Sequence, residues 1–174
     1  MSDRVPLDQT VEFGWDWFGR PRTFGAWFRC GWDGQQLSFE FGVDKTPECD
    51  PHPHGSFRQE LWKQDVAEIF VADREGRYQE FNVSPSGAWW SALFRGYRQL
   101  EREVSEPPLE LQAEGGVGVW WVKLRVKPAL ELHKLNLTAI LRPSDPVYLC
   151  LGHRSGGEPD FHRADNFLPL ADSA

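Results

Sequence analysis

The sequence predicts an all-β fold: a two-sheet antiparallel β-sandwich, immunoglobulin-like or jelly-roll-like, built as a single domain over residues 1–174. Three observations predict it. Apolar and polar residues alternate through almost the whole chain, the period of a strand with one buried face. No long segment places apolar residues at helical spacing. Turn residues recur between the alternating runs at the short intervals typical of sandwiches. A chain of 174 residues suits one hydrophobic core and leaves little room for a second.

The elements follow in order. Thr23 to Trp32 is the first run, and Asp33-Gly34 suits a tight hairpin into Gln35 to Val43, where Leu37, Phe39, Phe41 and Val43 share a face. Asp44 to Glu60 carries Pro47, Pro51, Pro53 and Gly55, so it cannot pair as a regular central strand and reads as a long irregular loop. Long ordered loops on such scaffolds often carry function. Val66 to Ala72 and Tyr78 to Ser84 form a hairpin across Arg74-Glu75-Gly76-Arg77, and Ser84-Pro85-Ser86-Gly87 turns the chain into Trp89 to Tyr97. Leu109 to Ala113 and Gly118 to Val126 flank Glu114-Gly115-Gly116; Leu135 to Leu141 and Val147 to Leu151 complete the set. Adjacent indoles at Trp89-Trp90 and Trp120-Trp121 point to opposite faces, so one of each pair is expected in the core. Arg95, Arg98 and Arg102 with Glu101 and Glu103 read as a charged, exposed sheet edge that discourages further pairing.

Composition removes several classes of partner. A net charge of -7 with no cluster of Lys and Arg argues against nucleic acid and against attraction to a membrane surface. No apolar run approaches the roughly 18 residues that span a bilayer. Met1 to Pro6 lacks the apolar centre of an export signal, so with Met1 as the start the chain is expected in the cytoplasm. Cys30, Cys49 and Cys150 are odd in number and widely spaced, which reads as reduced thiols. The departure from average is aromatic: 14% of residues, with nine Trp against three Tyr. Indole faces fill cores, and they also stack on sugars and other flat apolar surfaces.

In the hairpin of Val66 to Ser84, parity sends Ala67, Ile69, Val71, Phe81 and Val83 to one side. Glu68 and Asn82 fall on the other, close in sequence to Trp62. A carboxylate and an amide beside a stacking plane are what a sugar site requires; the alternative is a solvated outer face with a packed Trp.

Trp62, then Gln64-Asp65-Val66-Ala67-Glu68-Ile69-Phe70, the strand from Tyr78 to Asn82, and Pro159-Asp160-Phe161-His162 with Phe167 together resemble family 9 carbohydrate-binding modules and their DOMON-like relatives. The likeness runs from about Trp62 to the C-terminus, on the pattern W-x-x-D-x-x-E-[IL]-F. It implies a β-sandwich that clamps a sugar between two aromatic rings, here Trp62 and Phe161, with Glu68 accepting bonds from hydroxyls and Asn82 facing the ligand. The family often has Arg where Asn82 stands and Trp where Phe161 stands. An amide lacks the guanidinium's charge, and a smaller ring stacks less area. Such modules usually accompany a secreted catalytic domain, whereas no export signal is seen here.

Asp160 and His162 bracket Phe161 and could orient a ligand by charge-assisted bonds, or Asp160 caps a turn and His162 is simply exposed. His52 and His54, beside Cys49 and Asp50, are candidate metal ligands if His162 or Asp160 lies near, or else two solvated loop histidines. Calcium accompanies some relatives, although no acidic loop has a dedicated ligand spacing. For hydrolysis only Glu68 with Asp160 can be nominated as an acid and base pair, and no nucleophile elbow, phosphate loop or HExxH motif is present. Haem binding, known among DOMON-like relatives, would here need two histidines, since Met1 is the only methionine. The expectation is non-catalytic binding of a small carbohydrate, a mono- or oligosaccharide, through the aromatic clamp; a protein-interaction or other ligand-binding module on the same scaffold is the alternative, ahead of a glycoside-active enzyme or a haem binder.

Overall fold

The computed structural model describes residues 3–21, 23–142, 145–153 and 156–171. Met1 and Ser2, the start of the segment read for an export signal, lie outside them.

Among the described residues two antiparallel sheets face each other. The strands are β1 (Thr10–Glu12), β2 (Ala26–Trp32), β3 (Leu37–Val43), β4 (Val66–Ala72), β5 (Tyr78–Val83), β6 (Trp89–Phe94), β7 (Leu100–Glu103), β8 (Glu110–Gly116), β9 (Val119–Val126), β10 (Lys134–Leu141), β11 (Val147–Cys150) and β12 (Leu168–Pro169). One sheet has the order β1-β2-β3-β9-β8; the other runs β11-β10-β4-β5-β6-β7, with β12 also paired to β10. Short 3-10 turns at Leu61–Lys63 and Ala164–Asn166 are the helical elements. Among the described residues no helix is long and apolar enough to cross a membrane.

Alternation places the core. Phe28, Phe39, Phe41, Trp120 and Leu124 from the smaller sheet meet Ala67, Ile69, Val71, Phe81, Leu135 and Leu137 from the larger one, all essentially inaccessible. Each large side chain so buried contributes about 1.5–3 kcal/mol. Trp89 and Trp120 are buried, whereas Trp90 and Trp121 are half-buried, so one indole of each pair enters the core.

The turns close by local chemistry. Asp33 Oδ1 accepts from the N–H groups of Gln35 and Gln36 at 2.9 and 2.7 Å. Asp73 Oδ1 accepts from Glu75 and Arg77 in the β4–β5 turn, where Gly76 takes φ 85°.

The outer face of the larger sheet differs from expectation. Every residue of β4 and β5 is buried, including those whose parity points outward. Trp17, Leu61, Phe161 and Phe167 form a second apolar cluster over Val66, Phe70, Tyr78, Phe94 and Ile140. The solvated face is therefore replaced by a cover drawn from both ends of the chain. The cover is close: a Cβ at Gly152 would lie 1.8 Å from the carbonyl oxygen of Asn166, so any side chain there would push the C-terminal segment off the sheet. Differences elsewhere are smaller. The runs begun at Thr23 and ended at Tyr97 are strand only from Ala26 and only to Phe94.

Candidate functional site

Asp65 fixes the entrance to this face. Its carboxylate, fully buried, binds Lys45 Nζ at 2.8 Å and accepts from the backbone N–H of Glu48 at 2.9 Å and of Arg142 at 2.6 Å. One side chain thus ties the 44–60 loop, the turn before β4 and the end of β10 together. Arg142 returns across the gap, donating from Nη2 and Nε to the carbonyl oxygen of Trp62 at 2.7 and 3.3 Å. The Trp62 indole is left 48% exposed, with Lys63 Nζ 5.4 Å from its centroid.

Below that indole is a cavity of about 340 Å³. Trp62 and Phe161, nearly a hundred residues apart, both line it, together with Glu68, Glu80, Asp160 and His162. Five of the six predicted site residues therefore converge. Asn82 stands apart: it is buried, it does not line the cavity, and its Oδ1 has no hydrogen-bond partner. Its amide bonds to Glu80 instead and so helps set that carboxyl.

The two rings are unequal. Phe161 is only 7% exposed and packs against Trp17 and Tyr148 at centroid distances of 5.7 and 6.3 Å, while Asn136 Nδ2 donates to its carbonyl oxygen at 2.9 Å. Phe161 forms a fixed wall; Trp62 is the open one.

Glu68 and Glu80 make an acidic floor. Both point outward from adjacent strands, Glu68 facing Asn82 and Glu80 facing Phe70. Glu68 Oε2 accepts from Thr138 Oγ1 at 3.2 Å. Burial, then the Glu80 charge, pushes the Glu68 carboxyl well above the usual range, against weaker opposition from Thr138 and Arg142. Burial likewise raises Glu80, opposed by Asn82 and Arg98. The charge on Glu80 raises Glu68, so the two carboxyls titrate as a pair.

Asp160 is the contrasting acid. Tyr97 Oη donates to its Oδ2, and Arg98 Nη2 and the His162 N–H reach its Oδ1 at 3.0 and 3.2 Å. Burial raises its carboxyl, but the Tyr97 and Arg98 bonds outweigh that and hold it below its ordinary value. Asp160 does cap its turn, as one reading of the sequence had it. His162 is not simply exposed: Nδ1 lies 2.8 Å from Tyr78 Oη, and burial followed by the Arg98 charge lowers the imidazole to about 4. It is neutral at physiological pH.

Arg98, Arg142, Tyr148 and Glu80 line the cavity without having been singled out for it. Arg98, expected on an exposed edge, turns back at φ 54° to reach Asp160. The charged edge itself is real: β7, Leu100–Glu103, is exposed throughout and ends the larger sheet.

The metal candidates do not assemble. Among the described residues no three His, Cys, Asp or Glu side chains are grouped to hold an ion. His52 Nε2 has Asp50 Oδ2 at 3.8 Å, and His54 packs beside Gly87. The described residues thus offer no such ligand group for His52 and His54 to join. Cys30 and Cys150 are free, and burial pushes both thiols up to about 12.

A pH dependence follows from the floor. A carboxyl whose folded pKa is raised stabilises the fold below its unfolded pKa, and that contribution is lost as pH rises through the folded value. His162 works oppositely below neutrality, so the comparison of variants isolates the effect. Glu80→Gln is expected to gain on the wild type as pH climbs from about 5 to about 8, by about 1.4 kcal/mol for each unit of displacement it removes. Thermal melts of both proteins across that range check it; parallel curves would contradict it.

No protein-family model matches the sequence, and no curated protein matches it. Solved structures do. A Bacteroides uniformis protein put forward as carbohydrate-binding superposes with a TM-score of 0.69 at 14% identity, over 93% of this chain and 85% of that one. A family 9 carbohydrate-binding module from Caldicellulosiruptor kristjanssonii, in complex with glucose, superposes at 0.56 and 13%, over 98% of this chain and 97% of the module. At such identities the likeness is one of fold, and the chain accordingly has the β-sandwich fold of these proteins.

Proposed function

We propose that the protein binds a carbohydrate, without chemical turnover, in the cavity between Trp62 and Phe161. One observation carries the reading: a half-exposed indole and a fixed phenyl wall, brought from distant parts of the chain, border one cavity floored by carboxyls. Trp62 offers an apolar plane to the C–H face of a pyranose. Glu68 and Glu80, both raised by burial, offer hydroxyls acceptor oxygens and, where protonated, a donor. Arg142 uses two of its five donors on Trp62, leaving others for the ligand. A cavity of about 340 Å³ suits a small ligand. The superposed proteins, one put forward as carbohydrate-binding and one in complex with glucose, support the same class.

Hydrolysis is the weaker reading. The pair that the sequence nominated for it is Glu68 with Asp160, and Asp160 is committed to Tyr97, Arg98 and its own turn. Titration calorimetry with glucose, galactose and mannose tests the proposal. Saturable heat with at least one, and no loss of a matching glycoside on prolonged incubation, is the expected result. Silence with all three would remove the sugar reading.

A further inference from the structure

Six acidic side chains are buried among the described residues: Asp16, Asp65, Glu68, Asp73, Glu80 and Asp160. Four of them have a cation of the chain in contact. Arg20 reaches Asp16 at 2.7 Å, Lys45 reaches Asp65 at 2.8 Å, and Arg77 and Arg98 reach Asp73 and Asp160 at 3.0 Å each. That is the usual state of a buried charge, which is costly unless something neutralises it.

Glu68 and Glu80 break the pattern. Among the described residues neither is in ion-pair contact with a Lys or Arg nitrogen; Glu68 accepts from the Thr138 hydroxyl at 3.2 Å, and Glu80 from the Asn82 amide. The His162 ring, with Nε2 at 3.9 Å from Glu80 Oε2, is neutral at physiological pH. Burial accordingly raises both carboxyls.

Both carboxyls line the cavity under Trp62, so their missing partner can come from outside the chain. Trp62, Phe70, Tyr148 and Phe161 line the same space, and aromatic faces also attract a cation, more strongly where water is excluded. The two guanidiniums of the lining are engaged elsewhere: Arg98 with Asp160, and Arg142 with the Trp62 carbonyl oxygen at 2.7 Å. They act on the two glutamates only through space.

Building on the carbohydrate reading above, we infer that the sugar carries an amino group: it is a hexosamine, whose ammonium is the counter-cation of Glu68 and Glu80 while its ring lies under Trp62.

Titration calorimetry at about pH 7, where most of such an amine is charged, tests this with glucose, galactose and mannose beside glucosamine, galactosamine and mannosamine. A chelator in the buffer keeps metal ions from supplying the charge. For at least one hexose that binds, the hexosamine should bind about tenfold tighter, and its N-acetyl form, which has lost the charge, should show no such gain. Glu68→Gln/Glu80→Gln keeps the shape of the floor and removes its charge, so the ratio of hexosamine to hexose affinity should fall close to one, with the fold checked by circular dichroism. Should that variant fail to fold, the wild-type ratio alone decides. If the hexoses bind and no hexosamine gains, or the gain survives in the variant, the amino group is wrong and the carbohydrate reading stands; the floor then balances its charge with protons. If lysine, an ammonium without the ring, binds as tightly as the hexosamine, the cavity selects the cation alone and the inference also fails. If all three hexoses are silent, the carbohydrate reading fails and the inference falls with it.

Discussion

Trp62→Ala is expected to weaken sugar binding by about thirtyfold, close to 2 kcal/mol, while leaving the melting temperature nearly unchanged. The asymmetry comes from burial. Almost half of the indole is open to solvent, so the fold loses little when it goes, and the Lys63 contact above its ring is worth only about 0.5–1 kcal/mol at such a site. The anchor for Arg142 is the backbone carbonyl of residue 62, which alanine retains. What disappears is the plane on which the ligand stacks. Trp62→Phe should recover part of the affinity, since a smaller ring still stacks. Calorimetry on the three proteins with the sugar bound by the wild type decides the matter. Equal affinities throughout would place the ligand away from the indole.

One residue of this site, Glu68, was readable from strand parity. Period two placed Glu68 opposite the core because Ala67, Ile69 and Val71 are apolar on the other side, and the structure keeps that register residue for residue. The pairing of Trp62 with Phe161 came from resemblance, not from periodicity, and the cavity brings both together. Parity could not say that the outer face is covered, because Trp17 and the 159–167 segment reach it from the two chain ends. It also missed β7, where Leu-Glu-Arg-Glu is exposed on both sides and has no apolar alternation to read. Arg142 had a usable signal. It follows β10 by one residue, and the pairing of Ile140 with Val66 sets the end of β10 beside the Trp62 turn. Arg98 had none, since its direction depends on a left-handed backbone at a non-glycine position.

The Asp of the W-x-x-D-x-x-E pattern makes the largest demand on stability. Asp65→Ala is expected to cost about 3 kcal/mol, because it removes the buried carboxylate that pairs with Lys45, itself only 6% exposed, and frees two backbone N–H groups together. Lys45 keeps Glu48 and the Thr46 carbonyl as partners, which holds the loss below the upper end for broken buried pairs. At about 2–4 °C per kcal/mol for a chain of this size, the melting temperature should fall by roughly 10 °C. Lys45→Met is the informative control. It leaves the Asp65 carboxylate still accepting from Glu48 and Arg142, so it should cost less than half as much. Equal losses would mean that the ion pair, not the carboxylate's grip on two backbone segments, holds this end of the sheet. The same carboxylate aligns Arg142 with the Trp62 turn, so Asp65→Ala at a temperature where it remains folded should also bind sugar more weakly, whereas Lys45→Met should not. A pattern residue that never touches the ligand would then be the one that positions both walls of its site.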